Sequence, residues 1–206
     1  MLPVDPIAWR CPMSPTEVVD EVFALFRERG NRLYRENLTE SQHGLQCATL
    51  ARFNGEEDAI VAACLLHDFG RLLKTAADEC PDSMRHHEEI GANRLSSRFK
   101  PEVVEPIRLH VAAMRYLCWK DRRYYESLPT AARQRLSQRG GPMNATEARA
   151  FEAEPYHGMA VRLLRYDEMG RAKGLSTPDF EAFRPALEAN VDCAKTKSKE
   201  LVLEVV

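Results

Sequence analysis

An uninterrupted apolar run, residues 59–66, leads directly into His67 and Asp68. If the run is helical, Ile60, Cys64 and His67 lie on one face, at positions i, i+4 and i+7. The His67 imidazole then points into the core, and an ionised Asp68 beside that core is costly unless it is paired. A cation near the two side chains would satisfy both. The alternative is a hydrogen-bonded core histidine next to a helix-end aspartate, and this pair alone does not decide between the two.

Helix signals recur along the whole chain. Residues 14–17, Ser-Pro-Thr-Glu, carry the serine, first-turn proline and glutamate of a capping box, and residues 39–42, Thr-Glu-Ser-Gln, repeat the box. Further helices are predicted at about residues 56–69, 83–99, 129–140, 144–152 and 157–172, from 101 onward, and from 178 into the C-terminal tail. No segment shows the alternation of a strand bounded by hairpin turns. We therefore predict an all-α fold with one helical domain at 14–206, preceded by an irregular arm at 1–13.

Composition narrows the possible partners. The 206 residues are 44% hydrophobic and 29% charged, which is typical of a soluble globular protein. Lys+Arg 29 against Asp+Glu 31 is nearly balanced, so no global field attracts nucleic acid or an anionic membrane. No apolar run approaches bilayer length, the N-terminus has no signal-peptide pattern, and the scattered cysteines suit a reducing compartment. We expect a cytoplasmic protein that acts on a small molecule, and the sequence does not predict its oligomeric state.

Six metal-liganding side chains lie on inward faces of the predicted helices: His43, His67, Asp68, His87, His110 and Asp167. Four imidazoles and two carboxylates in such positions are hard to satisfy by separate hydrogen bonds. Convergence on metal ions satisfies them together, and this donor set suits iron, manganese and zinc. The remaining histidines, His86 and His157, have more polar surroundings. An error of one residue in helix phase would exchange His86 and His87.

The order of these residues resembles a known family. His43, the pair His67-Asp68 and Asp167 reproduce the HD-domain pattern, and His87 and His110 resemble the two intervening histidines of its dinuclear branch. Four stretches resemble, more closely, the HD-domain mixed-valent diiron oxygenases of organophosphonate breakdown: 42–48 (QHGLQCA), 87–92 (HEEIGA), 110–117 (HVAAMRYL) and 139–143 (RGGPM). The resemblance covers about residues 34–170, and inositol oxygenase is a more distant relative.

The resemblance implies an HD-domain helical bundle with a diiron centre. His43, His67, Asp68 and Asp167 would hold one iron, and His87, His110 and Asp68 the other, with Asp68 as the bridge. The implied cofactors are two Fe ions in the mixed-valent Fe(II)/Fe(III) state, and O2 is the implied co-substrate. The implied reaction oxidises a small hydroxylated substrate, such as a 1-hydroxyalkylphosphonate, and cleaves its carbon–phosphorus or carbon–carbon bond.

Several positions depart from the resemblance. Where those oxygenases commonly carry a lysine, an arginine and a serine, this chain has Met114, Leu164 and Ala132. By helical spacing Met114 and Leu164 lie one turn from a metal ligand and should line the substrate pocket, where a phosphonate dianion needs charged donors. Arg71, one turn past His67, is the predicted replacement. Further candidates are Arg115, Arg162 and Arg165. A less anionic alcohol therefore stays open as substrate.

Tyr34 and Glu36 lie where the family often has a Tyr-x-Gly-Glu segment near the site. Glu36 keeps the family spacing to His43, whereas one residue is missing before it. From the matching position we predict a gating or substrate-binding role for Tyr34 and a catalytic role for Glu36. The missing residue is a departure from the family segment and favours the alternative, an ordinary loop carboxylate at Glu36.

Two other functions stay open from the sequence. Many HD domains are divalent-metal-dependent phosphohydrolases of phosphate esters or nucleotides, and the dinuclear ligand set does not exclude that activity. A metal-stabilised regulatory module without turnover is a third possibility, which the complete ligand set disfavours.

Overall fold

The computed structural model describes residues 13–35, 38–73, 86–172 and 174–197. Its first helices are α1 (Pro15–Arg29), α2 (Glu40–Phe53), α3 (Asp58–Leu66), α4 (Phe69–Leu72), α5 (His87–Leu95) and α6 (Pro101–Lys120). They are followed by α7 (Arg122–Ser127), α8 (Thr130–Gln138), α9 (Ala145–Ala153), α10 (His157–Met169), α11 (Arg184–Glu188) and α12 (Cys193–Lys197). A 3-10 turn, Phe180–Phe183, precedes α11. The all-α prediction is confirmed.

The two predicted capping boxes fix the starts of α1 and α2. The Glu17 amide donates to Ser14 Oγ (3.3 Å) while the Ser14 amide donates to Glu17 Oε2 (2.7 Å). Thr39 and Gln42 exchange the same two bonds, at 3.2 and 3.0 Å. Because these bonds satisfy backbone groups that a helix start leaves unpaired, they set where α2 begins and hence the position of His43.

The predicted helix at 56–69 is wrong in one respect, because it is broken before its end. α3 stops at Leu66, His67 caps it, and Asp68 takes φ −95° and ψ 11° before α4 begins at Phe69. Neighbouring side chains of an unbroken helix point about 100° apart. The break therefore frees His67 and Asp68, adjacent in sequence, to turn toward a common centre.

The structure also contains a short hairpin that the sequence did not predict. Strand β1 (Leu33–Arg35) pairs antiparallel with β2 (Leu38–Thr39), in the register Leu33 with Thr39 and Arg35 with Leu38. Strands of this length are too short to display an alternating pattern. The hairpin matters for the site because it carries Tyr34.

The core sits between the ligand-bearing helices. α3 is buried on all sides, with every residue from Ala59 to Leu66 inside. It packs against α2, α6 and α10, and α6 packs along α10. A second apolar cluster lies beyond them, formed by Ala113, Tyr116, Leu117, Met143, Ala148, Phe151, Ala160 and Leu164. The helices that carry the six predicted metal ligands are thus fixed by extensive apolar packing.

Other boundaries differ moderately from the predictions. The described part of the fifth helix, α5, ends at Leu95 rather than near residue 99, and the region after 178 consists of separate short helices. Residues 1–12 of the predicted arm at 1–13, Glu36 and the end of the tail lie outside the described residues. Within the ranges that are described, no helix has the length and hydropathy to cross a bilayer.

Candidate metal centre

Five segments bring the six predicted ligands together: α2 carries His43, the α3–α4 junction His67 and Asp68, α5 His87, α6 His110, and α10 Asp167. None of the six exposes more than 8% of its surface. His86 points away, with its side chain 60% exposed, so the predicted helix phase, with His87 inward, matches the structure.

The first half-site consists of His43, His67 and Asp167. His43 Nε2 lies 3.2 Å from His67 Nε2 and 3.0 Å from Asp167 Oδ1. His67 Nε2 lies 3.7 Å from the same aspartate oxygen. Three donor atoms from three parts of the chain thus face one point.

The second half-site consists of His87 and His110, and Asp68 lies between the two half-sites. Asp68 Oδ1 is 3.0 Å from His87 Nε2, while Asp68 Oδ2 is 3.4 Å from His67 Nε2. Asp68, His87 and His110 offer ligand atoms that all lie within 4.8 Å of one another. Since the two carboxylate oxygens face different half-sites, the arrangement suits a bridging ligand.

Backbone hydrogen bonds fix which ring nitrogens face inward. Nδ1 of His43 lies 2.8 Å from the Gly170 carbonyl, Nδ1 of His67 2.9 Å from that of Cys64, and Nδ1 of His110 2.7 Å from that of Ile107. Carbonyl groups only accept, so each Nδ1 donates. In the neutral rings the inward Nε2 atoms then carry lone pairs. The Nε2 atoms of His43 and His67 are only 3.2 Å apart, so their lone pairs repel unless a proton or a cation lies between them. The donor set therefore fits a metal centre.

The charges of the half-sites act on one another. Burial opposes the charged forms, but Asp68 and the hydrogen bonds to Asp167 outweigh it and raise the pKa of His67 to about 10. Burial alone would raise the pKa of Asp68, but Arg71 and the histidines hold it well below its usual range. Burial, together with His87 and His67, lowers the pKa of His110 to about 4. The aspartate is thus anionic at neutral pH, as a ligand must be.

Cys47 lies beside the first half-site but does not suit a ligand role. Its sulfur is 3.7 Å from Nδ1 of His43, the nitrogen that donates to Gly170. Burial, reinforced by Asp167, raises the pKa of the Cys47 thiol. Since metals bind the thiolate, this cysteine is better described as a small buried side chain packed behind His43. Cys64 and Cys118 are free and buried as well.

Two of the predicted substrate-side residues lie against the metal ligands. The Tyr34 ring stacks on the His43 ring with centroids 4.1 Å apart and an interplanar angle of 10°. Arg71 Nε donates to Asp68 Oδ1 at 2.8 Å, and its guanidinium carbon is 5.5 Å from the Tyr34 ring centroid. Glu36, the predicted catalytic carboxylate, is outside the described residues, so its role stays a prediction.

The other predicted substrate-side residues are more dispersed. Leu164 is 1% exposed and belongs to the second apolar cluster, against which Met114 also packs. Ala132 packs farther out, against Cys118, Leu128 and Leu136. Arg165 lies on the exposed face of α10.

Two arginines that were candidates from the sequence have partners elsewhere. Arg115 donates to the Gly141 carbonyl (2.9 Å) and pairs with Glu147, and Arg162 pairs with Glu56 and Glu57.

The structure adds three charged residues that the sequence reasoning missed. Arg171 pairs with Asp167, and its position four residues after that ligand was a usable signal. Glu88 lies next to His87 in sequence and pairs with Arg139, which is far away in the chain. Glu40 is buried on the first turn of α2, and its Oε2 has no hydrogen-bond partner within the described residues. No sequence pattern near Glu88 or Glu40 predicts these positions.

Comparison with known proteins agrees with this arrangement. The HD domain family model matches residues 41–144. A protein of Gimesia maris named hydroxymethylphosphonate dioxygenase is 36% identical over 85% of this chain and 89% of its own length. A protein of Leisingera caerulea named [1-hydroxy-2-(trimethylamino)ethyl]phosphonate dioxygenase (glycine-betaine-forming) is 35% identical over 85% of this chain and 91% of its own length. An uncharacterized protein of Acanthamoeba polyphaga mimivirus is 29% identical over 81% of this chain and 78% of its own.

Proposed function

The chain belongs to the HD-domain family, and from its metal centre we propose that it is a non-haem diiron oxygenase that uses O2 to oxidise and cleave a small hydroxylated phosphonate. Two relatives of more than one-third identity, matched over most of their length, carry the name of phosphonate dioxygenases. The observation that carries the proposal within this chain is Asp68, whose two oxygens face two separate groups of histidines.

The proposed ligand sets follow the two half-sites. His43, His67 and Asp167 would hold one iron and His87 and His110 the other, with Asp68 shared. When bound, a mixed-valent Fe(II)/Fe(III) pair would supply Lewis-acid binding of the substrate hydroxyl and the electron for activating O2. The protein's part is to keep the ligands ionised or neutral as required, to orient the rings through their backbone bonds, and to exclude water by burial.

The substrate would lie beside Asp68, Arg71 and Tyr34. Arg71 brings a guanidinium next to the proposed bridging ligand, and a guanidinium can bind a phosphonate through two N–H groups. Met114 and Leu164, which offer no charge, would contact the carbon part of the substrate. Arg165 would act only from the exposed face of α10, and Tyr34 would complete the site beside His43. The catalytic role predicted for Glu36 is part of this proposal.

The test is the metal content and oxygen consumption of the purified protein. We expect about two irons per chain, a mixed-valence signal in electron paramagnetic resonance that changes on adding hydroxymethylphosphonate, and O2 uptake in proportion to substrate consumed. Activity with Mn, Mg or Ni that releases phosphate from generic esters without O2 uptake would replace this proposal with a phosphohydrolase.

A further inference from the structure

A second arginine, Arg171, approaches the metal centre in the same way as Arg71. Arg171 Nη2 donates to Asp167 Oδ1 at 2.7 Å, just as Arg71 Nε donates to Asp68 Oδ1 at 2.8 Å. Arg71 lies three residues after Asp68, and Arg171 lies four residues after Asp167, just past the end of α10. Unlike Arg71, Arg171 has a buried N–H, at Nε, that makes no hydrogen bond to any residue the structure describes.

The backbone around Arg171 is held firmly against α2. His43 Nδ1 donates to the Gly170 carbonyl (2.8 Å), and Gln46 Nε2 donates to the Ala172 carbonyl (2.9 Å). A β-carbon at Gly170 would overlap the Cys47 sulfur, so this segment lies as close to α2 as a chain can. The base of the Arg171 side chain is therefore fixed beside the first half-site.

Tyr34 connects the two arginines. Its ring stacks on His43, and Arg71 lies over that ring. The charges of Asp167 and Asp68, and of Arg171 and Arg71, all act on the Tyr34 phenol. Two guanidinium groups and one aromatic ring are thus grouped at the edge of the metal centre.

The charge balance of this group changes when metal binds. Without metal, Arg71 and Arg171 neutralise Asp68 and Asp167. Each bound iron would carry two or more positive charges and would neutralise the two aspartates in place of the arginines. The positive charges of the two half-buried arginines would then have no balancing negative charge, which is costly unless an anion binds beside them. Each arginine also has a second acidic neighbour, Glu40 for Arg71 and Glu168 for Arg171. What distinguishes Arg171 is its buried Nε–H, which has no hydrogen-bond partner within the described residues.

We propose that Arg171 binds the anionic group of the substrate together with Arg71, using its free Nε–H, and so takes over the role that Met114 and Leu164 cannot fill. The inference rests on the proposed function for the identity of the anion. It adds a specificity-determining residue and favours a phosphonate over a neutral alcohol as substrate.

The experiment measures binding of hydroxymethylphosphonate to the anaerobic iron-loaded protein by calorimetry. Arg171→Gln should weaken binding about 10- to 100-fold, because the anion loses a charged hydrogen-bond donor. Iron per chain should stay unchanged, because Asp167 loses its Arg171 partner but is itself kept as a ligand. Arg171→Lys should recover part of the affinity. The matched control is Arg122→Gln, which removes a guanidinium that is also paired four residues away, with Glu126, but on the surface; its affinity should equal that of the unaltered protein.

Unchanged affinity in Arg171→Gln overturns the inference. Loss of iron in parallel with affinity, in both Arg171→Gln and Arg171→Lys, also overturns it, because Arg171 then acts by positioning Asp167. In turnover, a rise in KM with little change in kcat supports it. Absence of O2 uptake by the unaltered protein would defeat the proposed function, whereas a phosphonate affinity that depends on Arg171 would still support the anion site.

Discussion

The two half-sites share Asp68 but are positioned by different means. In the first, His43 and His67 both donate to backbone carbonyl groups and approach Asp167 with their other nitrogen. In the second, His110 has a backbone bond, whereas Nδ1 of His87 has no hydrogen-bond partner in the described ranges. The position of His87 depends on the packing of α5 against α4 and on the nearby Glu88 carboxylate, 3.3 Å away.

The two half-sites also differ in the charge of their histidines. The acids around the first half-site outweigh burial and raise the pKa of His67 to about 10, whereas burial and neighbouring imidazoles lower the pKa of His110 to about 4. The ligands of the first half-site are thus held firmly, but a metal ion must compete with a proton for His67. In the second, His110 is unprotonated at neutral pH, but the half-site is held by fewer hydrogen bonds. We therefore expect sequence changes to remove metal from the second half-site more easily.

The largest effect is expected where the half-sites meet. Asp68→Ala should lose metal from both and reduce O2 uptake by more than about a hundredfold, because a shared ligand disappears and Arg71 loses its partner. Elemental analysis of iron per chain is the measurement. His86→Ala is the control, since that side chain is exposed, and should keep its iron. The opposite outcome for the pair would mean that Asp68 is not a bridge.

Two glycines allow each half-site to be disturbed separately. A β-carbon at Gly70 would overlap the His87 carbonyl and lie 2.8 Å from the Gly91 amide nitrogen. Gly70→Ala should therefore displace α5, destabilise the protein by about 3 kcal/mol and empty the second half-site.

Gly170→Ala should destabilise the protein by about 1–3 kcal/mol and weaken metal binding in the first half-site, because the Cys47 side chain must move. Thermal melts and iron per chain distinguish them.

Gly158→Ala is the control for both glycine variants. It lies on α10 with nothing within 4 Å of the added carbon, so it should be neutral or slightly stabilising. Loss of the same amount of iron in Gly70→Ala and Gly170→Ala would contradict the separation of the half-sites.

How much the sequence could predict depended on the range of the interactions. Capping boxes at Ser14 and Thr39 are local, so both helix starts were predicted; family membership, predicted from the spacing of histidines and aspartates, is confirmed by the family match. The break at Asp68 was missed because no proline or glycine precedes it. The pair Glu88–Arg139 was missed because it joins residues 51 apart, which only the folded chain brings together.

A smaller effect is expected from that same pair. Glu88 is buried next to His87 and paired with Arg139, so it is the carboxylate available to an Nδ1–H once Nε2 binds metal. Glu88→Gln should weaken metal binding in the second half-site about 10- to 100-fold and leave the first intact. Metal titration that resolves two binding events is the measurement. Glu126→Gln, at an exposed arginine pair, is the control, and equal weakening of both events would argue against this role.

The smallest effect on metal binding is expected at Glu40, a buried acid near Asp68. Burial, and then the charge of Asp68, raise the pKa of Glu40 from about 4.5 to about 7 in the folded protein. The unfolded chain loses this proton at lower pH than the folded one, so the free energy of unfolding falls as pH rises between these two values. Glu40→Gln removes that loss and should stabilise the metal-free protein by about 1–3 kcal/mol at pH 8 but hardly at pH 5. Bound iron should shrink the difference, because a nearby cation favours the carboxylate. Urea unfolding at the two pH values measures this, and a gain that does not depend on pH would show that Glu40 stays ionised through other partners.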